Sequence, residues 1–342
     1  MVENKKKLLG NTLAQLKEIA LSLGLPAFTG KQLADWLYKK KVTSIDQMTN
    51  LSKAAREKLS QEYIVGIDKA IDIQASSDGT KKYLFPCHTG SAIEAVMIPD
   101  ADRATICVSS QAGCKMGCKF CMTGRQGFKG NLETAEIISQ FISIDESDSL
   151  TNAVFMGMGE PLDNMDSLLP VLEIMTASWG MAWSPKRITV STVGKMTELK
   201  ELLDKTQVHI AISVHSADSQ QRGSMMPVEK AYPINGVMKM LASYDFSHQR
   251  RLSLEYIMWR NVNDDLAHAD MLVSLIGKTE CRVNLIRFHS IPGVELVSSS
   301  EEKMIIFRNY LNSKGVLCTI RASRGEDIMA ACGMLAGKGE KK

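Results

Sequence analysis

The sequence predicts an α/β protein, built as an incomplete (β/α)6-type barrel with a helical accessory domain at its N-terminus. After residue 101, short apolar runs alternate with longer amphipathic segments, which is the pattern of repeated strand–helix units and a parallel sheet. About six such units over about 220 residues suit a partial barrel better than an eight-fold one. Residues 1–70 instead carry helical patterns joined by Gly- and Pro-containing turns.

The predicted barrel strands are six apolar runs separated by helical segments. Polar and glycine residues collect where these runs end, and (β/α) barrels build their active sites at the carboxyl ends of their strands. In chain order the strand candidates are ATICVS, NAVFMGM, RITVST, VHIAISV, LSLEYIM and RVNLIRF. The helical candidates are NLETAEIISQFISI, the stretch after Asn164, KMTELKELLD, PINGVMKMLASY and DDLAHADMLVSLIG.

Changes of pattern along the chain predict three domains. Residues 1–70 form a helical domain, whose first helix has its apolar residues on one face of TLAQLKEIALSLGL. Residues 71–100 contain a DG turn between two β-like runs and then a third alternating run, which predicts a β-hairpin extension leading to the barrel. Residues 101–342 form the barrel and a C-terminal loop.

Charge is concentrated in the first of these domains. Residues 1–70 hold 12 Lys/Arg and 7 Asp/Glu, a net charge of +5, while the whole chain carries only +3. A small basic domain on a near-neutral body predicts a surface that binds RNA or another polyanion, and the alternative is a solvated lysine-rich face.

Composition excludes some classes of protein. An apolar content of 44% and a charged content of 23% are typical of a globular protein with a substantial core. No run of about 18 apolar residues is present, and the N-terminus lacks the apolar region of a signal peptide. We therefore expect a cytoplasmic protein without a membrane partner, whose eight cysteines are ligands, reactive groups or core residues rather than a disulfide framework.

Three cysteines in CKMGCKFC carry the strongest signal for chemistry. Cys114, Cys118 and Cys121 are spaced C-x3-C-x2-C in the loop after the first barrel strand. Three thiolates on a four-iron cluster leave one iron open, which is the arrangement of a catalytic rather than a structural site. An open iron can chelate the amino and carboxylate groups of S-adenosylmethionine (SAM). The alternative is a zinc site with a distant fourth ligand, such as Cys107 or a histidine.

Six segments together resemble one known family. They are CVSSQAGCKMGCKFCMTGRQGF, MGMGEPLDN, STVG, SVHS, RVNLIRFHSIPG and RGEDIMAACGMLAG, and they resemble the RlmN/Cfr family of radical-SAM RNA methyltransferases. The resemblance runs from about residue 10 to 337 and includes the basic N-terminal domain. It implies a radical-SAM barrel, a 4Fe–4S cluster on the three cysteines and two SAM molecules per turnover.

The same resemblance implies a relay of two further cysteines. Cys332 matches the cysteine that accepts a methyl group from one SAM. A 5′-deoxyadenosyl radical from the second SAM then abstracts hydrogen from that methyl group, and the methylene radical adds to adenine. Cys107 matches the thiol that releases the RNA by forming a disulfide with Cys332, and Glu94 matches the proton acceptor. Without the resemblance, both cysteines would be interpreted as small buried hydrophobes and Glu94 as a solvent-facing residue.

The SAM contacts implied by the resemblance follow the strand ends. At the end of the sixth strand, His289 stands where the family pattern has Asn, and we expect it to form a hydrogen bond with the adenine of SAM. The expected SAM-binding residues are Gly159, Glu160, Ser191, Ser213, Val214, His215 and His289.

The proline of GMGEP places the match nearer to RlmN than to Cfr. This implies methylation of adenosine at C2 in 23S rRNA and in tRNA, with Cfr-like C8 methylation as the alternative. The expected partners are these RNAs and a flavodoxin- or ferredoxin-like electron donor, and the expected oligomeric state is a monomer. Two other classes remain: a zinc protein that binds nucleic acid without catalysis, and a radical-SAM enzyme acting on protein or a small molecule.

Overall fold

The structure, a computed structural model, describes residues 5–247 and 250–337. The outermost residues of the first and last predicted domains, 1–4 and 338–342, therefore lie outside the described residues.

Helices and strands alternate along most of the described chain. The helices are α1 (Leu13–Ser22), α2 (Thr29–Ala34), α3 (Lys53–Glu62), α4 (Met122–Arg125), α5 (Thr134–Ile142), α6 (Met165–Thr176), α7 (Met196–Lys205), α8 (Ser219–Met225), α9 (Ile234–Leu241), α10 (Leu266–Ile276) and α11 (Glu301–Ser313). The strands are β1 (Lys6–Lys7), β2 (Tyr63–Ile64), β3 (Asp72–Ala75), β4 (Lys81–Pro86), β5 (Ala92–Asp100), β6 (Arg103–Cys107), β7 (Gln111–Ala112), β8 (Gly130–Asn131), β9 (Asn152–Phe155), β10 (Ile188–Thr192), β11 (His209–Ser213), β12 (Leu252–Met258), β13 (Arg282–Arg287) and β14 (Leu317–Ile320).

Ten of these strands form one sheet. Their order is β14-β13-β12-β11-β10-β9-β6-β5-β4-β3. The strands from β6 to β14 in this order pair in parallel, as strand–helix units require, and β3 to β6 pair antiparallel. The predicted hairpin extension is thus continuous with the barrel sheet, and the partial barrel is confirmed.

The sequence prediction missed one barrel strand. All six predicted strands are present, and β14 follows them as a seventh parallel strand beside β13. Its sequence, LCTI, is apolar like the other runs but only four residues long, and two of the four are exposed because β14 lies at the edge of the sheet. By contrast, all seven residues of β12 are buried, which is usual for a central parallel strand.

The N-terminal helices pack directly on the barrel. Leu8, Leu16, Leu37 and Tyr38 belong to the same buried apolar cluster as the barrel strands. The Tyr38 ring contacts Trp179 edge-on, with the ring centroids 5.9 Å apart. The helical segment therefore shares the protein core and is more than a surface appendage.

Candidate active site

Backbone geometry fixes the cysteine loop between β6 and α4. The short pairing of β7 with β8 closes its base, and Cys114 N–H donates to the Gly127 carbonyl at 3.3 Å. Gly113 has φ +74°, and a Cβ there would lie 1.8 Å from the Gly127 oxygen. Only glycine fits this position, because a side chain would need both the strained backbone and the occupied space.

The three cysteine side chains line one cavity, which we call the cluster cavity. Cys114 and Cys118 are buried and Cys121 is half-buried. Burial raises the pKa of the Cys114 thiol to about 12 and raises the pKa values of Cys118 and Cys121 as well. Such thiols become thiolates only when positive charge, such as that of bound iron, is placed beside them.

The donor arrangement suits a multi-iron cluster better than zinc. Cys107, one suggested fourth zinc ligand, does not line the cluster cavity. Three thiols that line one cavity fit a 4Fe–4S cluster, whose thiolates bind separate irons.

Three aromatic side chains pack together beside the cluster cavity. Phe120, inside the cysteine motif, is buried, and its ring centroid lies 5.0 Å from that of His215 and 5.1 Å from that of Trp259. His215 is held by the Ile257 N–H, which donates to its Nδ1 at 3.1 Å. Burial lowers the pKa of His215 to about 3, so its ring is neutral near pH 7.

Five of the seven predicted SAM contacts line the same cavity as the three cysteines. Glu160 is buried there, and its carboxylate accepts from the N–H groups of Leu162 at 3.2 Å and Val193 at 3.0 Å. Burial raises the pKa of Glu160 to about 7 despite these hydrogen bonds. The five residues are Gly159, Glu160, Ser191, Ser213 and His215.

Two of the predicted SAM contacts lie elsewhere. Val214 is fully buried, and its N–H donates to the Glu255 carbonyl, so it belongs to the core of the strand end. His289 lines a neighbouring cavity, where its Nε2 lies 3.2 Å from Ser323 Oγ and its Nδ1 lies 3.3 Å from a Glu326 oxygen. The structure brings neither side chain to the cluster cavity.

That neighbouring cavity is lined by four arginines and holds Cys107. We call it the arginine cavity, and it adjoins the cluster cavity, with which it shares Met156 and Ile286. Its arginines are Arg103, Arg287, Arg321 and Arg324. Cys332 and Arg321 line both cavities, so they stand at the border between the two.

Contacts on two sides hold the C-terminal segment that carries Cys332. On the cysteine-loop side, Met122 N–H donates to the Gly333 carbonyl at 2.8 Å, and Thr123 Oγ1 donates to the Leu335 carbonyl at 2.8 Å. Ser76 Oγ, on the side of the hairpin extension, donates to Asp327 at 2.6 Å. Cys332 itself is exposed.

Glu94 is a third anchor for this segment. Its Oε2 accepts from the N–H groups of Ala336 at 2.7 Å and Gly337 at 3.1 Å, and its Oε1 lies 3.4 Å from Lys82 Nζ. Glu94 is only 2% exposed, which contradicts the solvent-facing alternative. Strand register puts Lys82, Glu94 and Cys107 on one face of the sheet.

Sequence reasoning missed several charged residues around the site. Arg222 is fully buried, forms an ion pair with Glu229, and donates to the Val193, Ser213 and Val214 carbonyls at the ends of β10 and β11. The one sequence signal for such residues is a charged residue inside an apolar run, such as Glu255 in LSLEYIM. Because burial of a charge is costly without a partner, such a residue indicates a buried ion pair. The missed residues are Lys82, Arg222, Glu229, Glu255 and Arg321.

The fold and this site define a radical-SAM enzyme: a partial parallel barrel with three cysteine thiols in the loop after its first strand. Family comparison agrees, since residues 108–272 match the radical SAM superfamily and residues 6–65 match the ribosomal RNA large subunit methyltransferase N-terminal domain.

Curated relatives cover nearly the whole chain. A probable dual-specificity RNA methyltransferase RlmN of Parabacteroides distasonis is 56% identical, over 97% of each chain. The dual-specificity RNA methyltransferase RlmN of Psychrobacter arcticus is 39% identical, over 98% of this chain and 88% of its own. A crystal structure of a radical SAM methyltransferase from Sphaerobacter thermophilus superposes with a TM-score of 0.91 at 34% identity, covering 97% of this chain and 100% of that one. The chain belongs to the RlmN family of radical-SAM RNA methyltransferases.

Family membership confirms the resemblance, the enzyme class and the radical-SAM fold. A 4Fe–4S cluster and SAM are the cofactors that this superfamily implies, and the thiols and the Glu160 carboxylate of the cluster cavity fit them. In the described part of the chain, no helix has both the length and the apolar character to cross a membrane.

Proposed function

We propose that this protein methylates adenosine at C2 in 23S rRNA and in tRNA, with Cys332 as the methyl carrier. The observation that carries this proposal is the position of Cys332 at the border of the cluster cavity and the arginine cavity. A carrier sulfur must reach SAM on one side and the target base on the other. Two SAM molecules are used per turnover, one as the methyl source and one as the radical source.

The chain's own residues bind and orient these groups. Cys114, Cys118 and Cys121 are the cluster ligands, and the cluster supplies one electron that makes SAM a source of a hydrogen-abstracting radical. The Glu160 carboxylate accepts hydrogen bonds from the SAM ammonium group. Ser191, Ser213 and His215 bind the rest of SAM. Val214 supports the end of β11 from within the core. His289 lines the arginine cavity, where RNA is proposed to bind.

Release of the product depends on Cys107. In the adduct, the Cys332 sulfur is joined through a methylene group to C2 of adenine. The Cys107 thiolate attacks this sulfur, the S–S bond forms and the S–CH2 bond breaks. The electron pair moves to the methylene carbon, which takes up a proton and becomes the methyl group. An external reductant then restores the two thiols.

Glu94 acts as the acceptor of the C2 proton of the adduct radical, and the single electron that this radical must also lose would pass to the oxidised cluster. The Lys82 ammonium group, 3.4 Å away, is its ion-pair partner on the same face of the sheet. Because Glu94 also accepts from Ala336 and Gly337, its carboxylate links the proton acceptor to the segment that carries Cys332.

RNA binds along the arginine cavity and the basic N-terminal domain. Guanidinium groups suit phosphate and unstacked bases, and a target base must be unstacked to reach Cys332. The proposed domains are residues 1–70, 71–100 and 101–342. The proposed protein is a cytoplasmic monomer that receives electrons from a flavodoxin- or ferredoxin-like donor.

Nucleoside mass spectrometry of treated RNA tests the proposal. Reconstituted enzyme, given SAM, reductant and either 23S rRNA or tRNA, is expected to form 2-methyladenosine in both. Chromatography separates this product from 8-methyladenosine, and exclusive formation of the C8 isomer would contradict the proposal. Unmodified RNA beside a colourless, zinc-containing preparation would favour the non-catalytic alternative.

A further inference from the structure

We propose that Arg321 is a positioning residue for the thiol relay: its guanidinium group, held by Glu255, stabilises the thiolate of Cys107. This inference rests on the relay of the proposed function, and it adds a residue that the relay as described does not use. It concerns the resolving step, in which a buried thiol must lose its proton before it can attack.

The backbone of Arg321 is fixed by its neighbours at the end of β14. Its N–H donates to the Leu285 carbonyl at 2.9 Å, and its own carbonyl accepts from Arg287 Nη1 at 2.8 Å. These contacts set where the side chain leaves the strand end. The side chain then lines both the cluster cavity and the arginine cavity.

Glu255 of β12 anchors the guanidinium group. Arg321 Nη1 lies 3.4 Å from Glu255 Oε2, and the other carboxylate oxygen accepts from Asn284 Nδ2 at 2.8 Å and Ser253 Oγ at 3.1 Å. Glu255 is 3% exposed, so it is a fully partnered buried carboxylate. Such a carboxylate holds its cation in one place, which a surface partner would not do.

Cys107 lines the arginine cavity together with Arg321. Met156 also lines this cavity, and its Sδ lies 3.3 Å from Arg321 Nη1. Burial raises the pKa of Cys107 to about 12, the neighbouring Cys332 adds to this rise, and Arg321 opposes it. The other charged or titratable groups of the cavity are Asp100, Arg103, Arg287, His289 and Arg324.

Whether the Cys332 sulfur carries a charge determines how strongly Arg321 stabilises the Cys107 thiolate. A free Cys332 thiolate repels a second thiolate at Cys107 and competes for the same cation. Once the Cys332 sulfur carries a methyl or methylene group, it has no charge, and the attraction of Arg321 acts on Cys107 alone. The resolving thiol thereby gains acidity after the carrier is loaded.

The direct test measures the reactivity of Cys107 itself. Cluster-reconstituted protein with the Cys332→Ala change is pulsed with iodoacetamide under anaerobic conditions between pH 7.5 and 9.5, and the Cys107 peptide is quantified by mass spectrometry. Arg321→Gln is expected to lower the alkylation rate about tenfold, which corresponds to one pKa unit. Arg321→Lys restores most of the rate, and Arg308→Gln, which changes an arginine of α11 that lines neither cavity, leaves it near the starting value.

A purely structural role for Arg321 predicts the opposite sign. Glutamine is smaller than arginine, so it opens the cavity and would speed the entry of iodoacetamide. If Arg321→Gln destabilises the fold by leaving Glu255 unpaired, the Glu255→Gln/Arg321→Gln pair removes both charges and keeps the test valid. An unchanged or faster Cys107 rate in either folded variant overturns the proposal.

A second arm uses turnover and separates this inference from the proposed function. With Cys332 present, Arg321→Gln given SAM, reductant and RNA is expected to accumulate the Cys332–RNA adduct, and Arg321→Lys to clear it. Clearance at the unsubstituted rate by Arg321→Gln overturns the proposal. If the unsubstituted protein forms no 2-methyladenosine, the proposed function fails, whereas the alkylation series still decides the effect of Arg321 on Cys107.

Discussion

At the scale of single residues, the two relay cysteines have different surroundings and should fail differently when changed. Cys332 is exposed at the border of two cavities, and Cys107 is buried at the end of β6. Removing the carrier stops the reaction at its start, while removing the resolving thiol stops it after the adduct has formed. Loss of activity alone would not separate these roles.

Cys332→Ala is therefore expected to yield no methylated RNA and no adduct, and Cys107→Ala to accumulate protein bound covalently to RNA. The measurement is a denaturing gel before and after nuclease, with mass spectrometry of the Cys332 peptide. Cys107→Ser, which keeps the size of the side chain, is the control for packing. Free, unmodified Cys332 in folded Cys107→Ala protein after reaction would count against the relay.

Glu94 combines two roles that one substitution can separate. Glu94→Gln keeps an oxygen that accepts from Ala336 and Gly337 but can no longer take up the C2 proton. Glu94→Ala loses both functions and leaves two half-buried N–H groups without their partner, at a cost of at most about 1–3 kcal/mol for each. We expect both variants to lose 2-methyladenosine formation at least 100-fold, a typical contribution of general base catalysis on the order of 10² or more.

Limited proteolysis of the C-terminal segment distinguishes these variants. The segment should be cleaved faster in Glu94→Ala and at nearly the original rate in Glu94→Gln. Normal product formation by Glu94→Gln would show that the carboxylate holds the segment and takes no part in proton transfer.

At the scale of elements, the cysteine loop depends on its glycines. Gly113 and Gly117 both have positive φ, but a Cβ at Gly113 would lie 1.8 Å from the Gly127 oxygen, while one at Gly117 would meet only Pro227, at 3.9 Å. The two positions therefore share backbone strain and differ in free space. They form a matched pair for testing how the loop is built.

Gly113→Ala is expected to lower cluster incorporation severely, because the loop must shift at its base. Gly117→Ala should suffer only the strain of its backbone, about 1–2 kcal/mol. The cluster content of the two variants is compared after anaerobic reconstitution, by iron and sulfide analysis and by the visible absorption of the cluster. Equal cluster content in the two variants would contradict this explanation of Gly113.

At the scale of the whole molecule, the basic N-terminal domain is part of the barrel core. Tyr38 packs on Trp179, and Lys41 forms an ion pair with Asp148 at 2.6 Å. Deleting residues 1–70 would expose this buried surface and confuse loss of RNA binding with loss of folding. Charge reversal on the exposed face is the cleaner experiment.

Lys17 and Lys31 offer such a face. Both are exposed, neither joins an ion pair within the described residues, and the backbone of α1 at Lys17 touches Gly30 of α2. Lys17→Glu/Lys31→Glu should weaken RNA binding and reduce the salt slope of the affinity by about one for each phosphate that the protein no longer neutralises. Lys200→Glu, an exposed position on α7, is the control. RNA affinity and salt slope equal to the control would refute the domain's role in binding.

Much of this protein follows from local sequence. The spacing of Cys114, Cys118 and Cys121 and the strand–helix periodicity depend on neighbours a few residues apart, so both were readable without a structure. The position of Cys332 came from its motif, since one cysteine in a loop has no local signal of its own.

Only the tertiary structure decided which distant residues share a site. Glu255 lies within β12, Arg321 directly follows β14 and Cys107 ends β6, so the three are far apart in the chain. The sheet pairs Glu255 with Arg321 and puts Arg321 and Cys107 in the lining of one cavity. Lys82 and Glu94 look like solvated strand residues until the register puts them on the buried face with Cys107. His289 likewise could be assigned to a cavity only from the fold. A charge in a sequence has no partner until folding supplies one, and its partner decides whether it is solvated, structural or functional.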